Sequence, residues 1–223
     1  MKIINLKSEP SCSDGPELKI TAIKQAVKNE NRVNVFVNNE YSFSLDIAQL
    51  VDFKLKVGTI LSEEDLAKYK EASAFGKLYQ RTLEWVLTRP RSVRETRDHL
   101  RERSRKSTIQ IDNSLLEQII TKLSEKGYLN DYKFAEYYVE NRFIKKGISR
   151  KRLSLELAKK GVSQGIIEEV LTENPRSDLE EIQKIIAKKR HKYDDEKLTA
   201  YLVRQGFNYD LVRDAIRQDS SVQ

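Results

Sequence analysis

The carboxyl-terminal part of the chain repeats itself, and this repeat constrains the fold more than any other feature. When residues 134–171 are laid over residues 179–216 at a shift of 45, apolar and glycine positions coincide without a gap. The matched positions are Leu153, Leu157, Gly161, Val162, Ile166, Ile167, Val170 and Leu171, which fall on Leu198, Leu202, Gly206, Phe207, Leu211, Val212, Ala215 and Ile216. A period of this size is typical of stacked units that cannot bury their apolar faces alone.

Each copy predicts three helices with a glycine between the second and the third. Leucines four residues apart precede Gly161 and Gly206, so each pair lies on one helix face. Glycine ends such a helix with the least strain, because it enters the left-handed conformation freely. The unit is therefore predicted to run helix, helix, glycine stop, helix.

A weaker third copy precedes these two. Its predicted helices carry, in order, Leu83, Trp85, Val86 and Leu87, then Val93, Thr96 and Leu100, then Leu115, Leu116, Ile119, Ile120 and Leu123. The spacing between its second and third helices is wider than in the next copy. We therefore expect a longer polar loop at residues 105–113.

The amino-terminal stretch follows the two-residue period of β-strands instead. Apolar residues alternate with polar ones in residues 18–22, 32–37 and 41–45, which predicts three short strands. Asn38 and Asn39 separate the last two and tolerate positive φ, so they predict a hairpin turn.

The predicted fold is mainly α: three tandem three-helix repeats in an elongated array, preceded by a small β-rich module. The predicted modules are residues 1–65, 66–127, 128–174 and 175–223. Between strands and repeats, Asp46 is expected to cap a short helix, and Ser62 to open the next one through a capping box.

Composition narrows the class of protein. The 223 residues are 39% hydrophobic and 34% charged, with no apolar run long enough to span a membrane. The first seven residues are too polar for the apolar core of a signal peptide. The single cysteine, Cys12, cannot form an internal disulfide. We therefore expect a cytoplasmic protein without a membrane partner.

Motifs for catalysis are missing from the sequence. It contains no P-loop, no dinucleotide-binding glycine pattern and no zinc-protease motif. His99 and His191 lie in basic stretches and are interpreted as surface residues. Acidic residues occur as adjacent pairs, whose side chains diverge on a helix. We expect a protein that is not an enzyme and that has no cofactor or metal.

Positive charge is concentrated in one stretch. The formal net charge is +7, and residues 89–106 hold eight basic and three acidic side chains. Within it Arg94, Arg97, Arg101 and Arg105 recur every three or four residues, which places them on one helix face. Because guanidinium groups bind phosphate and carboxylate in a bidentate manner, this face is a candidate contact for nucleic acid or acidic protein. The alternative is a solvated amphipathic helix.

A second basic cluster surrounds Gly147 and contains Lys145, Lys146, Arg150 and Arg152. It is a candidate for the same contacts, with plain surface solvation as the alternative. A helix placed in the DNA major groove is disfavoured, because the predicted third helices are apolar and acidic instead of rich in base-reading side chains.

Two stretches carry a family resemblance. Residues 127–135, Gly-Tyr-Leu-Asn-Asp-Tyr-Lys-Phe-Ala, combine a glycine stop, two bulky residues, an acidic cap and Phe-Ala. Residues 147–153, Gly-Ile-Ser-Arg-Lys-Arg-Leu, are followed by Glu-Leu and then Lys-Gly-Val. They resemble the junction of the first two repeats and the middle-repeat core of the RecX regulatory proteins. The first repeat is similar at Arg91-Ser92 but has Thr96 where the family usually has leucine.

The resemblance covers the helical repeats at about residues 70–216, and the β-rich module resembles the amino-terminal extension of Gram-positive members. It implies a non-enzymatic cytoplasmic protein that binds the RecA recombinase filament on single-stranded DNA and limits its growth or activity in DNA repair and recombination. The alternative from the residues alone is a nonspecific single-stranded nucleic-acid-binding protein without a recombinase partner. The sequence does not determine the oligomeric state.

Overall fold

The computed structural model describes residues 17–27, 29–106 and 112–221 and divides into two compact units between Leu78 and Tyr79. The amino-terminal start, Cys12 and the centre of the predicted loop at 105–113 lie outside the described residues. Within the described residues, no helix combines the length and apolar character needed to cross a membrane.

The first unit is built on an antiparallel sheet with strand order β3-β2-β1-β4. Its strands are β1 Leu18–Ala26, β2 Asn29–Val37, β3 Glu40–Asp46 and β4 Ile60–Leu61. Asn38 and Asn39 have φ values of 51° and 68°, which confirms the predicted hairpin turn. Strand β4 was not predicted. It has two residues, which pair with Leu18 and Lys19, and it is too short to show alternating apolar and polar side chains.

One face of this sheet forms the core of the first unit, and the start of a long helix packs against it. Two helices belong here: α1 Ile47–Asp52 and α2 Glu63–Leu87. Asp46 caps α1 as predicted, and it also forms a capping box with Gln49. The Ser62 hydroxyl accepts the Asp65 backbone N–H at 3.0 Å, which confirms the predicted start of α2. Tyr69 from α2 lies buried among the sheet residues.

The second unit contains the end of α2 and eight further helices among the described residues. They are α3 Val93–Lys106, α4 Asn113–Glu125, α5 Asp131–Asn141, α6 Arg150–Lys159, α7 Gln164–Glu173, α8 Asp178–Lys189, α9 Asp195–Arg204 and α10 Tyr209–Ser221. This order confirms the predicted fold class of three-helix repeats after a small β-rich module.

The predicted glycine stops have the expected geometry. Gly161 and Gly206 have φ values of +85° and +94°, and each follows the C-cap residue of its helix, α6 or α9. After each glycine the next backbone N–H returns to the preceding helix, from Val162 to the Leu157 carbonyl at 3.2 Å. The turn is that of a left-handed helix cap, which favours glycine.

Each of the last two repeats has its own core, around Phe134 and around Ile182. The 45-residue shift holds for their second and third helices but is wrong for the first. Asp131 and Asp178 begin α5 and α8, so Phe134 matches Glu181 in place of Leu179. The physical reason is the connection between the first and second helices. It is longer in the middle repeat, so α5 begins further before its second helix than α8 does in the third repeat.

Candidate functional site

The first basic cluster lies on α3. Ser92 caps this helix, because its hydroxyl accepts the Glu95 backbone N–H at 3.0 Å. Arg94, Arg101 and Arg105 are exposed, as the helical spacing predicts for a solvent-facing stripe. These three side chains are available for an anionic partner.

Arg97 differs from its neighbours in the stripe. Its guanidinium donates two hydrogen bonds to Glu117 on α4, at 2.7 Å and 2.9 Å. This bidentate pair raises the pKa of Arg97 and lowers that of Glu117, chiefly through the shared hydrogen bonds. The pair joins the second and third helices of the first repeat and occupies the oxygen-binding edge of the guanidinium.

The second basic cluster divides in the same way. Lys145 and Lys146 are exposed just before Gly147, whose φ is +81°. The Arg150 guanidinium turns inward, where it donates to the backbone carbonyls of Leu171 and, at 3.0 Å, of Arg176. Arg150 therefore binds one carbonyl in the last turn of α7 and one in the connection between α7 and α8.

Arg152 is exposed but paired. Its guanidinium donates to the Glu156 carboxylate at 3.3 Å and to the side-chain oxygen of Gln205 in the next repeat. Glu156 also accepts from Arg142 at 2.7 Å and from the Tyr138 hydroxyl at 2.6 Å. Burial and this carboxylate raise the pKa of Tyr138 to about 12. Arg152 thus contributes both to the surface and to the contact between repeats.

The first repeat is tied to the second at the start of α3. Ser92, besides capping its own helix, donates its hydroxyl to the Lys160 carbonyl at the end of α6, at 2.8 Å. The Val93 backbone N–H donates to the Asp131 carboxylate at the start of α5, at 2.9 Å. Asp131 stands where the sequence predicts an acidic cap, yet Asn130 caps α5 and Asp131 reaches back to the preceding repeat.

A close backbone approach completes this junction. An added Cβ at Gly161 would lie 2.7 Å from the Arg94 Cβ, so only glycine lets α3 pack against the end of α6. Glu95 bridges the same place, accepting from Lys160 at 3.1 Å and from Arg89 at 3.1 Å. Burial alone raises the pKa of Glu95, but these two cations lower it overall.

The second repeat is tied to the third in the same manner. Ser149 caps α6 by accepting the Arg152 backbone N–H at 3.2 Å and donates its hydroxyl to the Gln205 carbonyl at 2.7 Å. The Arg150 backbone N–H donates to the Asp178 carboxylate at 2.8 Å. A Cβ at Gly206 would lie 2.9 Å from the Ser149 hydroxyl oxygen.

The second junction adds a buried charge. Glu181 is 1% exposed and accepts the Ile148 backbone N–H at 3.0 Å, Arg176 at 2.9 Å and Lys184 at 2.7 Å. Burial alone raises the pKa of Glu181, but these donors lower it overall. A Cβ at Gly147 would lie 2.7 Å from the Glu181 carbonyl oxygen, so this contact also requires glycine.

The sequence analysis did not assign the junction residues. Ser92 and Ser149 hold equivalent positions before a second helix, and Asp131 and Asp178 hold equivalent positions at the start of a first helix. The apolar pattern alone does not reveal them, because serine and aspartate do not contribute to an apolar repeat. A search for serine and aspartate recurring in register with the glycine stops would have found them.

His99 differs from the prediction of a surface residue. Its ring stacks on Trp85 with the centroids 3.9 Å apart, and its Nε2 atom is buried. Burial lowers the pKa of His99. The Arg91 guanidinium also lies 4.0 Å from the Trp85 ring. The indole therefore fixes both basic side chains against the end of α2.

Helix α6 connects the two basic clusters. Arg94 packs against Gly161 just beyond the end of α6, whereas Lys146 precedes its start. This ten-residue helix is about 15 Å long, and its length separates the Arg94 end from the Lys146 end. The structure thus holds the exposed cations of two repeats at a fixed spacing.

Comparisons with known proteins agree with this architecture. The family model described as the regulatory protein RecX N-terminal domain matches residues 18–62. The model described as the second three-helix domain of RecX matches residues 130–171. The first match covers the sheet of the first unit, and the second covers the repeat bounded by the two junctions.

Relatives named regulatory protein RecX match most of the chain. The protein of Bacillus velezensis is 32% identical over 207 residues, which cover 89% of this chain and 76% of the relative. That of Bacillus pumilus is 30% identical, with the same coverage. That of Listeria monocytogenes is 28% identical over 212 residues, covering 92% and 77%.

Two solved structures share the fold. A crystal structure of regulatory protein RecX matches with a TM-score of 0.68 and 24% identity, over 88% of this chain and 99% of that one. The crystal structure of RecX from Lactobacillus salivarius matches with a TM-score of 0.51 and 26% identity, over 66% and 97%. With its β-rich module, its repeats and these relatives, the chain belongs to the RecX family of regulatory proteins.

Proposed function

We propose that this protein binds the RecA recombinase filament on single-stranded DNA and limits its extension or activity, as a control on recombination and DNA repair. It acts in the cytoplasm by binding alone, without catalysis or a cofactor. The family names of its relatives describe regulation, and the resemblance in the repeats points to RecA as the partner.

The repeated junction is the observation that carries this proposal. The Ser92–Lys160 and Ser149–Gln205 hydrogen bonds have the same form and join successive repeats in the same way. Exposed cations of two repeats therefore stand at a fixed spacing, which suits a partner that presents the same surface repeatedly. Binding two subunits of a polymer at once gains affinity that a free subunit cannot provide.

The cations of the two basic clusters divide into contact and support residues. Arg94, Arg101 and Arg105 on α3, with Lys145 and Lys146 before α6, are the proposed contacts with acidic protein or DNA phosphate. We assign Arg97, Arg150 and Arg152 to support, because their guanidinium groups bind Glu117, backbone carbonyls, and Glu156 with Gln205, respectively.

Charge reversal tests this assignment. Growth of RecA filaments on single-stranded DNA is followed by light scattering, with the Arg101→Glu/Arg105→Glu and Lys145→Glu/Lys146→Glu variants. Lys126→Glu/Lys133→Glu is the matched control, because both lysines are exposed and their reversal changes the net charge equally.

We expect each contact variant to need at least about fivefold more protein for half-inhibition and to depend less on salt. The control should match the wild type. Wild-type inhibition by both contact variants at every salt concentration would reject the assignment of these surfaces.

A further inference from the structure

The sheet of the first unit has one face that its core does not use. Val33, Val35 and Val37 point into the core, so the alternate β2 residues Asn34 and Phe36 point outward. The strand pairing places Lys24 opposite Asn34, and Tyr41 opposite Phe36. The outer face therefore carries side chains from three adjacent strands.

Two aromatic rings lie together on this face. Phe36 and Tyr41 meet edge to face, with ring centroids 6.1 Å apart and an angle of 82° between the rings. Tyr41 is 50% exposed, and Phe36 is partly exposed. Ala22, which has a small side chain, is paired with Phe36 on β1. Exposed rings on a sheet carry a hydration cost that a stacked partner would remove.

Lysines flank the two rings. The Lys24 amine lies 5.3 Å from the Phe36 ring centroid, and the Lys77 amine lies 5.7 Å from the Tyr41 ring centroid. Lys77 also donates to the Tyr41 hydroxyl at 3.1 Å. Burial alone raises the pKa of Tyr41, but its bonds with Lys77 and Ser44 and the nearby charges of Lys77 and Arg32 lower it overall. Two cations therefore lie beside the two rings.

We propose that the outer face of the sheet binds single-stranded nucleic acid, with bases stacked on Phe36 and Tyr41 and phosphates at Lys24 and Lys77. Aromatic rings interleaved with cations on the exposed part of a sheet face suit unpaired bases, whose flat faces stack on such rings whatever their sequence. An acidic peptide would use the two lysines but would have no reason to engage both rings. This site lies outside the helical repeats and does not depend on their proposed contact with RecA.

The test measures binding of the full chain to a fluorescein-labelled oligothymidylate by anisotropy. Phe36→Leu/Tyr41→Leu keeps apolar side chains but removes the aromatic faces, with Tyr209→Leu as control because Tyr209 is 55% exposed in the other unit. Lys24→Glu/Lys77→Glu reverses the flanking charges, with Lys56→Glu/Lys70→Glu as control at exposed lysines of the same unit. Thermal unfolding verifies that each variant is folded.

We expect Phe36→Leu/Tyr41→Leu to bind about tenfold more weakly and Lys24→Glu/Lys77→Glu to lower the salt slope by about two. Both controls should match the wild type. Ultraviolet cross-linking of the wild-type protein should attach the strand to peptides that contain Phe36 or Tyr41. Cross-linking of the wild-type protein tests the proposed site even if a variant fails to fold.

Three kinds of result would overturn the proposal. The first is no binding of the bare strand by the full chain, or unchanged binding by a folded Phe36→Leu/Tyr41→Leu variant. The second is cross-linking confined to residues 79–221. The third is complete displacement of the strand by polyglutamate at equal charge, because this would assign the face to an acidic polypeptide.

Discussion

Ser149 donates its hydroxyl proton to the backbone carbonyl oxygen of Gln205, 2.7 Å away, and so joins the start of α6 to the end of α9. Ser92 makes the same bond to Lys160 one repeat earlier, at 2.8 Å. Each serine also caps its own helix. One side chain per junction therefore caps the start of one helix and binds the end of a helix in the next repeat.

Replacement of this serine is expected to destabilise the helical unit. Ser149→Ala removes a helix cap and leaves the Gln205 carbonyl without its donor, a loss of about 2 kcal/mol. Ser163→Ala is the matched control, because Ser163 precedes α7 without a side-chain capping bond. Urea unfolding compares the two. Equal stabilities of the two variants would show that the Ser149 bond adds nothing.

Glycine substitutions separate backbone strain from close contact. Gly165 lies in α7 with no atom within 4 Å of an added Cβ, so Gly165→Ala should stabilise by about 0.5 kcal/mol. Gly127 has positive φ but open space, so Gly127→Ala should cost about 1 kcal/mol. Gly161→Ala adds the collision with Arg94 and should cost about 3 kcal/mol. Thermal unfolding that ranks Gly161→Ala with Gly127→Ala would rule out the tight junction.

Removal of the Glu181 charge should lower the unfolding free energy strongly, because this side chain is buried. Glu181→Gln leaves Arg176 and Lys184 without their anion, and we expect a loss of about 3 kcal/mol near neutral pH. Glu180→Gln, at an exposed neighbouring position, should change the unfolding free energy by less than about 0.5 kcal/mol. A small effect of Glu181→Gln, equal to that of Glu180→Gln, would contradict the buried network.

The effect of Glu181→Gln should also depend on pH. The folded-state pKa of Glu181 lies below its value in the unfolded chain, so its contribution is complete above the unfolded pKa. It is lost as the pH falls from about 4.3 through the lower folded-state pKa. The stability difference between wild type and variant should therefore shrink on acidification. Urea titrations between neutral and acidic pH measure it, and a constant difference would refute the charged state.

Substitutions of Arg97 and Arg101 should distinguish a structural residue from a residue that binds the filament. Arg97→Gln breaks a partly exposed pair with Glu117 and should cost less than about 1 kcal/mol, with little change in filament inhibition. Arg101→Gln should leave stability unchanged and weaken inhibition. Unfolding and filament-growth measurements on both variants check this contrast. The reverse result would place the binding surface on the Arg97 side of α3.

The fold was largely predictable because its signals are periodic. Glycine stops, leucines four residues apart and alternating strand residues each impose one local geometry, as at Gly206 and at the Asn38-Asn39 turn. The register of the first helices was not predictable from apolar residues, because a buried glutamate, Glu181, replaces Phe134 in the third repeat. Charged residues count as exposed in such patterns unless their partners are known.

The candidate site was predictable only as a region. Spacing located Arg94, Arg97, Arg101 and Arg105 on one helix, but it could not show that Glu117 pairs with Arg97. That partner lies 20 residues away and is brought near by tertiary packing. Which cation is exposed and which is a structural donor depends on such long-range contacts.

Regulation of a RecA filament by this protein can be measured through the ATP hydrolysis of RecA on single-stranded DNA. The protein is titrated at substoichiometric ratios near physiological salt, and its binding to the bare strand is measured alongside. If the protein regulates the filament, we expect inhibition well below one protein per RecA subunit, at concentrations where bare DNA stays largely free. Unchanged hydrolysis, or inhibition only once the DNA is coated, would contradict it and leave a nonspecific single-strand-binding protein.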